Sequence, residues 1–129
     1  MLDEATKELS NYRLNQARDC LRVSELAIKE GLFKDSLNRS YYCIFHSMRA
    51  VLALDNFDSK KHSGIIDTFR KSYIKTEKFD IHFSAIIGNA FKMRNESDYQ
   101  DFYFVVKEET IKQSENAKEF LNAVEAFLK

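Results

Sequence analysis

Apolar residues recur every three or four positions along most of this chain, and that spacing predicts helices joined by short polar breaks. Between Asp3 and Glu30, Leu14, Ala17, Leu21, Ser24 and Ile28 form one stripe, and Gly31 follows where a helix C-terminal cap belongs. A second helix is predicted from Lys34 to Leu54, with Leu37, Tyr41, Ile44, Met48 and Val51 on one face and the turn-prone "DNFDS" after it. The very short connection between the two predicts an antiparallel hairpin. Ser59 is placed to cap a third helix beginning near Lys60, with Ile65, Ile66, Phe69 and Tyr73 as its apolar positions. After a loop at "KTEKFD", a fourth helix is expected from Asp80 to about Arg94 through Phe83, Ile86, Ile87, Ala90 and Phe91. A fifth, Lys107 to Leu128, carries Ile111, Ser114, Ala117, Leu121, Val124 and Leu128. These elements predict an all-α protein: an antiparallel, up-and-down bundle of four long helices plus a shorter one, in one domain over residues 1–129.

Composition agrees with that pattern. The 129 residues include no proline and only three glycines, so helix breakers are scarce. A hydrophobic fraction of 44% suffices for one core without disulfides or metal. Twenty basic and twenty acidic side chains give a formal net charge of zero, so overall charge does not select a polyanion or an anionic membrane as the main partner. The N-terminal "MLDEATKELS" has no signal-peptide core and the apolar runs are far short of a membrane span, which leads us to expect a cytoplasmic protein. Cys20 and Cys43 read as reduced core residues. Although Cys43 and His46 lie one helical turn apart, no second such pair completes a metal site, and no metal or cofactor is expected. Gly31, Gly64 and Gly88 are too widely separated to form a phosphate loop.

Three segments occur in order: "LNRSYYCIFHSMRAVLAL" at 37–54, "KKHSGIIDTF" at 60–69 and "MRNESDYQDFY" at 93–103. With the first-helix segment "ARDCLRVSELAIKEG", they resemble the HEPN domains, the higher eukaryote and prokaryote nucleotide-binding family. The shared features are Tyr41-Tyr42 and Phe45-His46 on the second helix, Lys61-His62-x-Gly64 at the third, and the run from Arg94 to Asp98-Tyr99 after the fourth. The resemblance implies a helical bundle, frequent homodimers, and frequent genetic pairing with a small nucleotidyltransferase in toxin and antitoxin modules. Some members are metal-independent RNases, which carry an arginine, a polar residue, a short spacer and a histidine at the end of the fourth helix. Here Arg94 and Asn95 match the first two positions, and Tyr99 stands where the histidine would be. A phenol with an ordinary pKa near 10 is a poor proton carrier at neutral pH.

Each candidate residue has a functional and a structural reading. Arg94 is suited to bidentate contact with phosphate, or else complements a helix C-terminus and pairs with Glu96 or Asp98. Asp98 either orients Arg94 or caps the turn in "DYQDF". Tyr99 is a packed aromatic, a ring on which a base stacks, or a hydroxyl open to modification. In similar HEPN toxins, the tyrosine that can accept a nucleotide from the partner lies two residues beyond the motif histidine, where this chain has Asp101. Tyr42, His46 and Arg49 share a helix face distinct from the core stripe. That face would line a groove opposite Arg94 or the centre of a two-fold interface. His62, with Lys60 and Lys61, makes a small basic helix start that either holds a phosphate or is simply solvated. His82 reads as an ordinary helix-start residue.

The combined expectation is a dimeric module that docks a nucleotidyltransferase or another partner and contacts nucleotide or RNA through Arg94, His46 and Tyr42, with Arg49, His62, Asn95, Asp98 and Tyr99 as further binding residues. The alternative is a divergent metal-independent endoribonuclease in which Arg94 stabilises phosphate charge and His46 or His62 replaces the missing histidine.

Overall fold

The computed structural model describes residues 2–129. It contains α1 (Glu4–Lys29), α2 (Phe33–Leu52), α3 (His62–Phe69), α4 (His82–Tyr99) and α5 (Lys107–Leu128). A 3-10 turn, Ala53–Asp55, follows α2, and a π-turn, Arg70–Ile74, extends α3. The fold is the all-α bundle of four long helices and a short one that the periodicity predicts.

Helix α1 starts where the Asp3 carboxylate accepts from the Thr6 amide at 2.8 Å. It stops in a Schellman turn: Gly31 takes φ of +74°, its amide bonds Ile28 O at 3.1 Å, and the Leu32 amide bonds Ala27 O at 2.8 Å. Three residues therefore suffice to reverse the chain into α2, the central helix, which packs against α1, α3, α4 and α5. Its stripe of Leu37, Tyr41, Ile44, Met48 and Val51 is buried, as are Ala17 and Leu21 of α1, Ile87 and Ala90 of α4, and Phe120, Leu121 and Val124 of α5. Each large side chain buried this way favours the fold by about 1.5–3 kcal/mol before entropy is counted.

One polar knot interrupts the apolar core. Ser24 Oγ lies 2.7 Å from Ser40 Oγ, 3.0 Å from Ser114 Oγ and 3.1 Å from Ser36 Oγ, tying α1, α2 and α5 together out of contact with water. Both Cys20 and Cys43 are free and buried, and burial pushes both thiols up in pKa.

Three boundaries differ from the sequence expectation. Ser59 does not cap the third helix: its hydroxyl accepts from the Lys61 amide at 3.1 Å, and α3 begins only at His62. Tyr73 lies in the π-turn rather than in α3, where the Lys75 amide reaches back five residues to Arg70 O at 2.8 Å. Finally, α4 does not end at Arg94 but continues to Tyr99. No glycine or proline stops it there, and an ion pair between Arg94 and Asp98 spans its extra turn.

Candidate functional site

Tyr42 lies on the outer flank of α2, facing the last two turns of α4. There the Arg94 guanidinium donates from Nη2 to the Tyr42 hydroxyl at 3.0 Å and from Nη1 to Asn95 Oδ1 at 3.0 Å. Its Nε lies 2.9 Å from Asp98 Oδ2, an ion pair in which the N–H is not aimed for a hydrogen bond. The guanidinium carbon sits 5.4 Å from the Tyr41 ring centre and 5.3 Å from that of Tyr42, within cation–π range. With its side chain only 14% exposed, Arg94 is a seated cation and not a free surface arginine. Because the Tyr42 oxygen accepts from Arg94, its own proton remains available to donate to a ligand oxygen.

The surrounding residues extend this arrangement. Asn38 Nδ2 donates to Asp98 Oδ2 at 3.4 Å, and Arg39 bonds Asn38 Oδ1 at 2.6 and 2.9 Å while its guanidinium lies 5.1 Å from the Tyr42 ring. From α3, His62 Nδ1 lies 2.7 Å from the hydroxyl of fully buried Tyr41, and the imidazole stacks on Phe45 at 4.3 Å. Partial burial and then the Arg94 charge lower the His62 pKa, which keeps the ring neutral at pH 7. A neutral imidazole thus stands beside the same tyrosine pair that seats Arg94.

His46 has a different setting. Its Nδ1 is 3.5 Å from Arg49 Nη1, and its ring is tilted against Tyr42 at 5.9 Å. Burial first, and then the charges of Arg49, Arg39 and Arg13, push its pKa down to about 4. Arg49 pairs with Asp58 at 3.0 Å, and buried Arg13 reaches the same carboxylate at 3.2 Å while donating to Arg49 O at 3.1 Å. Tyr42, Arg94, Asn95, Asp98 and His62 therefore form one cluster, with His46 and Arg49 adjoining it through Tyr42.

Tyr99 is separate. At 78% exposed it is neither a core residue nor part of the Tyr42 cluster, which removes the packed-aromatic reading within one chain. Asp98 is likewise not an N-cap for the following turn, because it lies inside α4 as the counterion of Arg94. His82 is more than a helix-start residue: it bridges Asp80 and Glu119, at 2.6 Å from each. The periodic reading assigned Tyr41 only to the core and passed over Asn38 and Arg39. Both precede Tyr42 by one helical turn, a spacing that marks them as neighbours on its face.

Among the described residues, no group of three or more metal-binding side chains is assembled, and no helix is long and apolar enough to cross a membrane. The arrangement is a phosphate- or carboxylate-compatible cation, carried by the last turns of α4 and seated on aromatic rings of the middle of α2. Comparison with known families gives that architecture its place: the HEPN domain model matches residues 10–129, and the chain belongs to the HEPN family. A UPF0332 protein of Thermotoga maritima is 26% identical over 122 residues, covering 95% of this chain and 92% of that protein. "Putative toxin MJ0142" of Methanocaldococcus jannaschii is 29% identical over 115 residues, 89% of this chain and 78% of that protein. "Putative toxin MJ0605" of the same organism is 27% identical over 99 residues, 77% of this chain and 74% of that protein.

Proposed function

We propose that residues 1–129 form a single HEPN domain acting in a toxin–antitoxin-type pair, in the cytoplasm: a homodimer that binds nucleotide or RNA at the Arg94 cluster and docks a small nucleotidyltransferase. The observation that carries this reading is the seating of Arg94 between two tyrosine rings and Asp98. A guanidinium so fixed loses little freedom when it takes a phosphate, and the free Tyr42 proton and the Asn38 and Asn95 amides supply further polar contacts. The toxin names of two archaeal relatives support the pairing.

Dimerisation is supported by apolar surface that one chain leaves uncovered. Tyr42 is partly covered by Arg94, so the surface in question is Tyr99 at the end of α4 and Phe102 and Phe104 after it, together with Val23, Leu26 and Leu32 around a groove of about 510 Å3 between α1 and α2. Asn38 and Arg39 line that groove and also contact the Arg94 cluster, so a second copy seated there would adjoin the ligand site.

The test is fluorescence anisotropy of labelled single-stranded RNA and of ATP with the purified chain, free of metal. Binding that Arg94→Ala weakens about tenfold or more supports the reading; binding indifferent to Arg94 overturns it. Light scattering over a concentration series tests the dimer, and co-purification with a nucleotidyltransferase encoded beside this chain tests the pairing.

A second reading, the metal-independent endoribonuclease, is favoured by one observation: His62 brings a neutral imidazole to the tyrosines that hold Arg94. In it, His62 accepts the 2′-hydroxyl proton as that oxygen attacks phosphorus and the 5′-oxygen leaves, Arg94 stabilises the added charge, and the imidazolium returns the proton to the 5′-oxygen. Cleavage by the unmodified protein that His62→Gln and Arg94→Ala each abolish would establish it over the binding module.

A further inference from the structure

A second groove, of about 460 Å3, lies away from the Arg94 cluster, between the π-turn after α3 and the start of α4. It is lined by Asp67, Arg70, Lys71, Ile74, Lys75, Ile81 and the Ser84 segment, three cations against one carboxylate. Among the described residues, none of the three cations has a carboxylate within ion-pairing distance. Arg13, Arg18, Arg22, Arg49 and Arg94 are each paired with a carboxylate within the chain, whereas among the described residues Arg39 and Arg70 are not, and Arg39 is occupied by Asn38 beside the Tyr42 ring.

Arg70 is nevertheless held in place. Its Nη2 donates to Ser84 O at 2.9 Å and passes close over Gly88, where an added Cβ would lie 2.9 Å from that nitrogen and the guanidinium would have to shift. Its Nε is buried and finds no acceptor among the described residues, an arrangement that costs stability. The π-turn that carries Arg70, Lys71 and Ile74 is itself a departure from regular helix of the kind found often at functional sites. On the other wall, Ile81 is 78% exposed, an apolar side chain amid the cations.

We propose that this groove docks an acidic peptide segment of a partner protein, its carboxylates meeting Arg70, Lys71 and Lys75 and one apolar side chain covering Ile81. Charge complementarity selects an anion. The exposed isoleucine favours a peptide over a nucleic-acid backbone, which offers no apolar side chain to cover it. This surface is independent of the Arg94 cluster, so it stands or falls separately from nucleotide binding there.

The probe is a fluorescein-labelled decapeptide in which glutamates alternate with leucines, compared with its lysine counterpart and with labelled oligouridylate. Anisotropy should show saturable binding of the acidic peptide alone. Lys71→Glu/Lys75→Glu should weaken it by about tenfold or more and Lys71→Gln/Lys75→Gln by less, Ile81→Ser should weaken it several-fold, and Arg94→Ala should leave it unchanged. Circular dichroism checks that each variant folds, and the glutamine pair decides the matter if the glutamate pair does not. No saturable binding up to about 1 mM, or binding that survives both lysine pairs, overturns the proposal. Oligouridylate that displaces the peptide and is itself lost in the lysine variants would assign the groove to nucleic acid, which also overturns it.

Discussion

The Tyr42 hydroxyl accepts a hydrogen bond from Arg94 at 3.0 Å across 52 residues of sequence, and the same guanidinium lies 5.3 Å from the ring that carries that hydroxyl. One tyrosine thus supplies both an acceptor and a π-face to one arginine. Tyr42→Phe should keep the face and remove the acceptor, whereas Tyr42→Ala removes both. A double-mutant cycle of Tyr42→Phe with Arg94→Ala, read by chemical denaturation, should return a coupling of about 0.5–1.5 kcal/mol, and additive effects would show that the contact does not form in solution.

Restoring the family histidine is a test of chemistry at the end of α4. If Tyr99 stands where the resemblance to RNase-type members puts a histidine, the unmodified chain is expected to cleave RNA slowly or not at all, a deficit of roughly 10²- to 10⁴-fold for a missing proton carrier. Tyr99→His should confer metal-independent cleavage of single-stranded RNA, and adding Arg94→Ala should abolish it. No gain in any RNA would place the missing function elsewhere than in the proton carrier.

The three histidines should titrate apart. Histidine proton resonances followed by NMR should give His46 near 4, His62 below the ordinary value and His82 above it. His82 is raised by its hydrogen bonds to Asp80 and then Glu119, and His46 is lowered by burial ahead of its arginine neighbours.

These shifts set opposite pH dependences. A raised pKa in the folded state means that the His82 bridge stabilises fully below the ordinary histidine value and is lost as pH rises through the folded value. A lowered pKa means the reverse for His46: the unfolded chain binds the proton more readily, so its contribution falls as pH drops from about 6.5 to about 4. Urea midpoints of His82→Asn should therefore lose sensitivity above the ordinary histidine value, and those of His46→Gln should lose sensitivity in mild acid. Parallel curves for wild type and His46→Gln between pH 6.5 and 4 would contradict the buried, neutral assignment.

Ser24→Ala should be costly for so small a change. It removes the hydroxyl that meets Ser36, Ser40 and Ser114 and leaves buried oxygens without a partner, which predicts a loss of about 1–3 kcal/mol in urea unfolding. A loss below about 0.5 kcal/mol, as for a surface site, would show that the hydroxyls rearrange among themselves.

Helices α1, α2 and α5 were legible because each carries a long stripe at one period, which fixes both the element and its buried face. The Arg94 cluster was legible only as a list of members. Spacing along α2 groups Tyr42 with His46 and Arg49 and leaves open whether that face meets Arg94 or a second copy, because the contact of Tyr42 with Arg94 depends on how α4 is rotated and slid against α2, and no single-helix period encodes that. Tyr41 shows the same limit. Its place in the core stripe was plain, yet a buried phenol also needs a polar partner, and the choice of His62 follows from the path of the 53–61 connection. The last turn of α4 was missed because the polar run after Arg94 resembles a loop, while Asp98 in fact closes back on the arginine four residues earlier.

Asp98 also means that Arg94 is never an empty cation. Any anion approaching it competes with a carboxylate already in place at 2.9 Å and tethered to the same helix, hence at high local concentration. A singly charged ion offers little that Asp98 does not. In the proposed function, a phosphate diester with a stacked base, or a phosphate monoester of higher charge, would gain additional binding energy from Tyr42 and the neighbouring amides and so displace it. Under the proposed binding function the carboxylate would act as a threshold, keeping the arginine neutralised among abundant small anions and yielding it only to a ligand that engages several groups at once.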